Sequence, residues 1–323
     1  MHILLYGYGS HARRIKSCCL DYFKECKDIF FSGIKRQKID TDISLVSSID
    51  EATSLYGKIN CVFIASSNSS HLEIFKKCLD KKIEFIYVEK PATGIQEFFE
   101  SSSADTFLDI KYIQIGYHFN YSKPLLSLGK SISSKEFGEL IRLDIFAGHG
   151  LAFKDEFKKT WRAKDKDALI DTALSHLVNL SIKLCSIEEY YNLTTAAKYN
   201  EIHGIKDTQH VSFCGKQGAL LSISSSWGSP FEQSIKAYFS NAIWEYDFTQ
   251  VVLKSPRDSF DQNGFFQAPN KSIEKYNFEG IKSSVFHFLN QVTNNRCKKH
   301  EFNNSRLTSV LLDEIKCANY VSP

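Results

Sequence analysis

The run His2-Ile3-Leu4-Leu5-Tyr6-Gly7-Tyr8-Gly9-Ser10-His11-Ala12 decides how this chain is read. A short apolar strand ends in a glycine turn, and a helical pattern follows over about 12–26. Gly7-x-Gly9-x-x-Ala12 is the G-x-G-x-x-A form of the fingerprint that cradles a dinucleotide pyrophosphate. Gly7 permits the tight turn, and Gly9 lets the backbone approach the pyrophosphate without a Cβ in the way. Ala12 allows close helix–strand packing, and the free N–H groups around Ser10 and His11 attract the anion with the helix dipole. A plain strand–helix turn would also use a glycine here. The context favours the ligand, because the motif stands where a chain-initial dinucleotide-binding domain would place it.

Outward from this run, short β-rich segments alternate with helical ones. Residues 28–34, 59–65 and 83–88 read as strands, and 71–80 as a helix. These strands are continuous apolar runs, as buried parallel strands are, so the first third predicts βαβ units and a parallel sheet. Past residue 118 the pattern changes. Residues 140–146 read as a strand, 147–166 as a polar loop with scattered aromatics, and 168–184 as a helix. Residues 209–253 hold several strands in succession, with Gly215-Lys216-Gln217-Gly218 turning a hairpin. Strands without intervening helices predict an antiparallel sheet. Helices near 278–294 and 304–319 close the chain.

At 323 residues the length suits two domains. The predicted break falls near 118–124, giving domains over 1–118 and 119–323. Hydrophobic residues at 43% and charged residues at 24% are ordinary globular usage, which excludes wholesale disorder. A net charge of +3 is too small to argue for nucleic acid or a membrane surface as partner. No apolar run approaches the ~18 residues of a membrane span, and the opening lacks a basic signal-peptide region. A cytoplasmic protein is expected. The nine cysteines are odd in number and scattered, with no Cys-x2-Cys pair, so they read as free thiols with neither disulfide framework nor metal.

About 20 residues past such a fingerprint an acid normally binds the ribose 2′-hydroxyl of NAD. Here the second strand ends Ser32-Gly33-Ile34-Lys35-Arg36, with no carboxylate. Ser32, Lys35 and Arg36 suit a 2′-phosphate, which predicts NADP(H) over NAD(H); a solvated Lys-Arg pair is the alternative. The strand over 83–88 runs into Glu89-Lys90-Pro91, at the sheet edge where ligands gather in open α/β folds. Pro91 keeps Lys90 out of helical geometry.

With these features the chain resembles the Gfo/Idh/MocA oxidoreductases. The matching stretches are Gly7-x-Gly9-x-x-Ala12, Ala65-Ser66-Ser67-Asn68-Ser69-Ser70-His71, Val88-Glu89-Lys90-Pro91-Ala92 and Gly116-Tyr117-His118-Phe119. Thr160-Trp161-Arg162, Leu174-Ser175-His176-Leu177, Asp207-Thr208 and Ser226-Trp227 follow in the family's order. The resemblance implies an N-terminal Rossmann domain and a C-terminal α/β domain with a large open, mainly antiparallel sheet. It implies homo-oligomers through that sheet and NAD(P)-linked chemistry on sugars, nucleotide sugars or polyols. It places Ala65, Ser66, Asn68, His71, Glu89 and Lys90 against the cofactor. Lys90 and His176 become the groups that handle the alcohol proton, a task needing a pKa near working pH.

His118, and Thr172 where many members carry Asp, join Lys90 and His176 at the substrate. His149, Trp161 and Arg162 bring aromatic and cationic side chains suited to a sugar face or an acidic group. Asp171 lies five residues before His176, ~500° of α-helix, and so is expected ~140° away from it. A different class stays open: a dinucleotide-binding sensor of the same fold that has lost catalysis.

Overall fold

The computed structural model describes residues 1–24, 28–34, 43–185, 187, 193–197, 207–215, 218–255, 260, 262–266, 268–277, 279–295 and 300–318. It divides into two compact units, Met1–Tyr121 with Glu279–Ser309, and Ser122–Phe278 with Val310–Pro323. The first unit therefore takes back a late segment that the contiguous break after residue 118 assigned elsewhere.

Six parallel strands build the first unit: β1 (His2–Tyr6), β2 (Phe30–Ile34), β3 (Ser44–Val46), β4 (Cys61–Ile64), β5 (Phe85–Val88) and β6 (Tyr112–Ile115). Their order is β3-β2-β1-β4-β5-β6, the doubly wound arrangement expected of a Rossmann sheet. Side chains alternate between two cores. Leu4, Val62, Ile64, Ile86, Val88 and Ile113 face one, and Ile3, Leu5, Cys61, Phe63, Phe85 and Tyr112 the other. The helices His71–Asp80 and Ile95–Ser101 supply Ile74, Phe75, Cys78 and Ile95 to the first core. Ser10–Tyr22 supplies Ala12, Ile15 and Cys19 to the second. The late helix Lys282–Thr293 joins that second core through Val285, Phe288 and Leu289, which is why 279–309 belongs to this unit.

The second unit holds β7 (Leu140–Gly148), β8 (Leu193–Ala197), β9 (Thr208–Cys214), β10 (Leu220–Ser226), β11 (Glu232–Phe239), β12 (Ile243–Tyr246), β13 (Gln250–Ser255) and β14 (Asn270–Lys275). The order is β14-β13-β12-β11-β7-β10-β9-β8, antiparallel except for the β7–β10 pair. One face is apolar, with Leu143, Ile145, Leu221, Ile223, Val211 and Ile235 buried. The other is polar, as an antiparallel sheet with one uncovered face should be. It carries the ion pairs Arg142–Asp144 (2.7 Å), Lys236–Glu245 (3.0 Å) and Lys254–Glu245 (2.6 Å). Arg142, Asp144, Ser224, Lys236 and Glu245 line a cavity of about 510 Å³ on that face.

The segment 147–166, expected as a polar loop, is a folded cap. β7 runs on to Gly148, and short helical turns follow at Leu151–Phe153, Asp155–Lys158 and Trp161–Ala163. Ala152, Phe157 and Ala163 pack with Leu169, Ala173 and Trp227 in a small core, so the apolar residues of the stretch point inward.

Candidate active site

The glycine turn forms because Tyr6 ends β1 between β2 and β4, the point where strand order reverses. Gly7 and Tyr8 donate their N–H groups to Ile34 O at 2.9 and 3.1 Å, and Gly9 donates to Gly7 O at 2.8 Å. Gly7 has φ +91, and a Cβ there would lie 2.6 Å from the Cα and N of Ser66. Its glycine is thus demanded by the protein's own backbone. Gly9 differs: it is extended, with φ −119, and a Cβ there would meet nothing nearer than Gly7 O at 3.9 Å. No described neighbour requires a glycine at position 9, and the space it leaves suits an approaching pyrophosphate. The helix opens at Ser10, two residues before the expected Ala12, and Ala12 is fully buried as close packing requires. The first-turn N–H groups have no helical partner and are available to an anion.

Three further turns line up beside this one through strand-end hydrogen bonds. Ala65 N–H donates to Tyr6 O (2.8 Å), Glu89 N–H to Ile64 O (2.9 Å) and Gly116 N–H to Val88 O (2.8 Å). The Ala65, Glu89-Lys90 and Gly116 turns therefore follow the Gly7 turn along one sheet edge. The Lys90–Pro91 peptide is cis, and Lys90 is half-buried. Ser66 Oγ accepts from Ser70 Oγ at 2.9 Å, and Asn68 opens the short helical turn Asn68–Ser70.

His71 departs from its expected cofactor contact. It is 1% exposed, with Nδ1 2.9 Å from Pro91 O and Nε2 3.2 Å from Ser66 O. Both ring nitrogens face main-chain oxygens, so the imidazole packs between the Ser66 and Pro91 turns, and a neutral ring donates its one N–H to one of the two carbonyls. Burial lowers its pKa and keeps it neutral.

Glu89, 7% exposed, is the centre of a charged cluster. Arg14 Nη2 donates to His11 Nδ1 at 2.8 Å, which leaves the proton on Nε2, 2.8 Å from Glu89 Oε1. Burial alone would raise the Glu89 carboxyl, but His11, followed by Lys90 and His118, holds it at about 2. Burial also drives His118 down to about 3, against the opposing pull of Glu89, so this imidazole is neutral at ordinary pH. His11 and Glu89, both expected at the cofactor, are engaged with each other. Arg14, which the sequence reading passed over, completes the chain; its signal is the i, i+3 spacing from His11.

The expected 2′-phosphate group is redrawn. Ser32 is fully buried in mid-strand, paired with Leu4, and its Oγ lies 2.7 Å from His2 Nε2. Its hydroxyl faces the interior and is unavailable to a nucleotide. Lys35 and Arg36 lie outside the described residues.

In the second unit the helix of His176 begins with a π turn, Ile170–Leu174, and continues as Ser175–Cys185. A π turn closes in five residues rather than four. The turn therefore departs from the regular α-helix on which the ~140° separation of Asp171 and His176 rests. Asp171 is paired with Lys316 of the last helix, Ser305–Ala318, at 2.8 Å. Nothing in the spacing announces that partner. Thr172 donates its hydroxyl to Ala168 O at 2.5 Å, and Ser175 donates to Asp171 O at 2.7 Å. The Thr172 proton is therefore committed to the helix rather than to a substrate. His176 is half-buried. His149 donates its backbone N–H to Ser226 O (3.0 Å), and its ring lies 6.0 Å from that of exposed Phe231. Arg162 is half-buried in the turn Trp161–Ala163; the Trp161 side chain lies outside the described set.

No protein-family model and no curated protein matches the chain. Solved structures do. A dehydrogenase from Chromobacterium violaceum shares the fold with a TM-score of 0.73 at 17% identity, covering 99% of this chain and 96% of that one. A levoglucosan dehydrogenase in complex with NADH and levoglucosan gives 0.76 at 10% identity, covering 98% and 96%. A myo-inositol dehydrogenase from Corynebacterium glutamicum gives 0.69 at 14%, covering 100% and 99%. At these identities the likeness is one of fold, and it extends over both units.

Proposed function

We propose that this chain is an NAD(P)-dependent oxidoreductase that moves a hydride between nicotinamide and a hydroxyl or carbonyl of a sugar, nucleotide sugar or polyol. NADP(H) is the preferred cofactor. The observation that carries the reading is the contrast between the two glycines: position 7 is filled by protein, while position 9 is held open at the mouth of a helix. The Lys90 turn stands on the same sheet edge. Two structural relatives, one bound to NADH and levoglucosan and one named for myo-inositol, support a polyhydroxylated ring as substrate class.

A bound nicotinamide supplies the hydride acceptor or donor. The protein's part is to bind, orient and manage a proton. N–H groups of Ser10 and His11 hold the pyrophosphate across the open face of Gly9, with Ala65, Ser66 and Asn68 bordering the nucleotide. Lys90 holds or moves the proton at the reacting oxygen, and His176 is the second group assigned to that proton. Neutral His118 gives a hydrogen-bonding surface without adding a cation. His149, Trp161 and Arg162 are assigned to the substrate. The chain associates with copies of itself through the open face of the second sheet, which sedimentation equilibrium tests directly.

The decisive experiment measures reduced-nicotinamide absorbance while sugars, sugar nucleotides and polyols are screened with wild type and Lys90→Ala. Turnover that Lys90→Ala abolishes, with cofactor affinity retained, supports the proposal. Cofactor binding without turnover on any of them would identify a sensor of this fold instead. Absence of cofactor binding would refute both.

A further inference from the structure

With Ser32 turned inward, the described residues at the adenosine end leave one cation beside the end of β2, Arg13. Resting on the cofactor reading above, we infer that Arg13, laid over the ring of Tyr8, recognises the 2′-phosphate of NADP(H). Tyr8 is the middle residue of Gly7-Tyr8-Gly9. Its N–H is bonded to Ile34 O, its side chain is fully buried, and a Cβ on Gly33 would come within 3.3 Å of the Tyr8 Cβ. Tyr8 thus lies against the last residues of β2. The guanidinium carbon of Arg13 is 6.0 Å from the Tyr8 ring centroid, within cation–π range. Gly33, Tyr8 and Arg13 in succession set that guanidinium by the carboxyl end of β2, where dinucleotide folds meet the ribose 2′ position.

The chemistry agrees with the placement. The stretch 29–36 contains no carboxylate to repel a phosphate or to bind a ribose diol. Arg13 is exposed, and among the described residues no carboxylate is paired with it. Its neighbour Arg14 is committed to His11. A guanidinium fork matches a phosphomonoester with two parallel hydrogen bonds, whereas the 2′-hydroxyl of NAD(H) offers it no charge. The ring beneath restrains the side chain, so less rotamer freedom is lost on binding.

The test is equilibrium binding to the full chain, with no turnover involved. Protein-fluorescence titrations would use NADPH, NADH, adenosine 2′,5′-bisphosphate and adenosine 5′-monophosphate. Wild type should favour both 2′-phosphorylated ligands, less so as salt rises. Arg13→Ala should weaken those two by about tenfold or more, a loss of about 1.4 kcal/mol. NADH and the monophosphate should change by less than about twofold, since a neutral 2′-hydroxyl makes no charged contact with the arginine. Arg13→Lys should restore part of the selectivity. Equal loss for all four ligands, or unchanged selectivity in Arg13→Ala, overturns the assignment. So does a wild type that binds NADH as tightly as NADPH, although the oxidoreductase reading survives that result. A wild type that binds none of the four removes both.

Discussion

Gly7 and Gly9 stand two residues apart in one motif, yet alanine should fail at them for different reasons. In Gly7→Ala the new Cβ falls 2.6 Å from Ser66 Cα and N and 2.8 Å from the Ala65 carbonyl carbon, all backbone atoms that cannot rotate away. Overpacking of this kind costs about 1–3 kcal/mol. The φ of +91 adds about 1–2 kcal/mol for a residue with a Cβ. The sum, about 2–5 kcal/mol, is a large part of a domain stability of about 5–15 kcal/mol. At an m-value of about 2–3 kcal/mol/M it moves the urea midpoint by about 1–2 M. Gly9→Ala has an unstrained φ of −119 and open space, so its stability should stay within about 0.5 kcal/mol of wild type. Its Cβ instead occupies the approach to the pyrophosphate, and nicotinamide nucleotide affinity should fall at least about tenfold. Urea unfolding and nucleotide titration on both variants separate the two effects. Gly9→Ala binding cofactor as wild type does, or unfolding as early as Gly7→Ala, would show the turn to be a mere chain reversal.

The acid side of the stability profile should carry two steps. The unfolded chain protonates His118 near its ordinary 6.5 while the folded chain resists to about 3, so stability present above pH 6.5 is lost as pH falls through that window. Glu89, held at about 2 against an ordinary 4.5, contributes stability that is lost between those values. Urea midpoints against pH should flatten below 4.5 in Glu89→Gln and between 6.5 and 3 in His118→Gln. His71→Ala removes the one N–H that the neutral ring donates to the Ser66 or Pro91 carbonyl and empties a buried site, a loss of about 2–4 kcal/mol in chemical unfolding. Lys316→Met removes the ammonium that faces the half-buried Asp171 carboxylate and should cost about 1–3 kcal/mol, partly recovered by adding Asp171→Asn. Additive losses in that cycle would mean that the pair contributes nothing as a pair.

Legibility followed the range of the forces involved. β1, its turn and the opening of the first helix were plain because an uninterrupted apolar run, two glycines and a small residue act within eleven positions. β5 and Glu89-Lys90-Pro91 were plain for the same reason. The three-residue β3 leaves too little pattern to read. The return of Lys282–Thr293 to the first unit rests on Val285, Phe288 and Leu289, an apolar stripe that suits any core. The cap over 147–166 hid its structure because Ala152, Phe157 and Ala163 recur with no single period. Ser32 misled because a hydroxyl near a strand end says nothing about which face it takes. Only the pairing with His2 decides that.

The helix of His176 sets a one-residue change in sequence beside a one-residue change in backbone. Relatives in the family that the chain resembles place an aspartate four residues before the histidine, one α-helical turn away and on the same side. Here threonine stands at that position, and the aspartate is five residues back at Asp171. Regular α-helix would swing it out of line, as the sequence reading expected. The turn Ile170–Leu174 is instead a π turn, whose closure takes one residue more. The aspartate has moved by one residue and the turn beside it is wider by one, and Asp171 meets Lys316 of the last helix at 2.8 Å. Thr172, left at the old position, gives its hydroxyl to Ala168 O as a helical threonine does. The π turn buries Ile170, Ala173 and Leu174, so the extra residue is absorbed without exposing the apolar side of the helix, and the half-buried carboxylate that it carries is matched by the Lys316 ammonium.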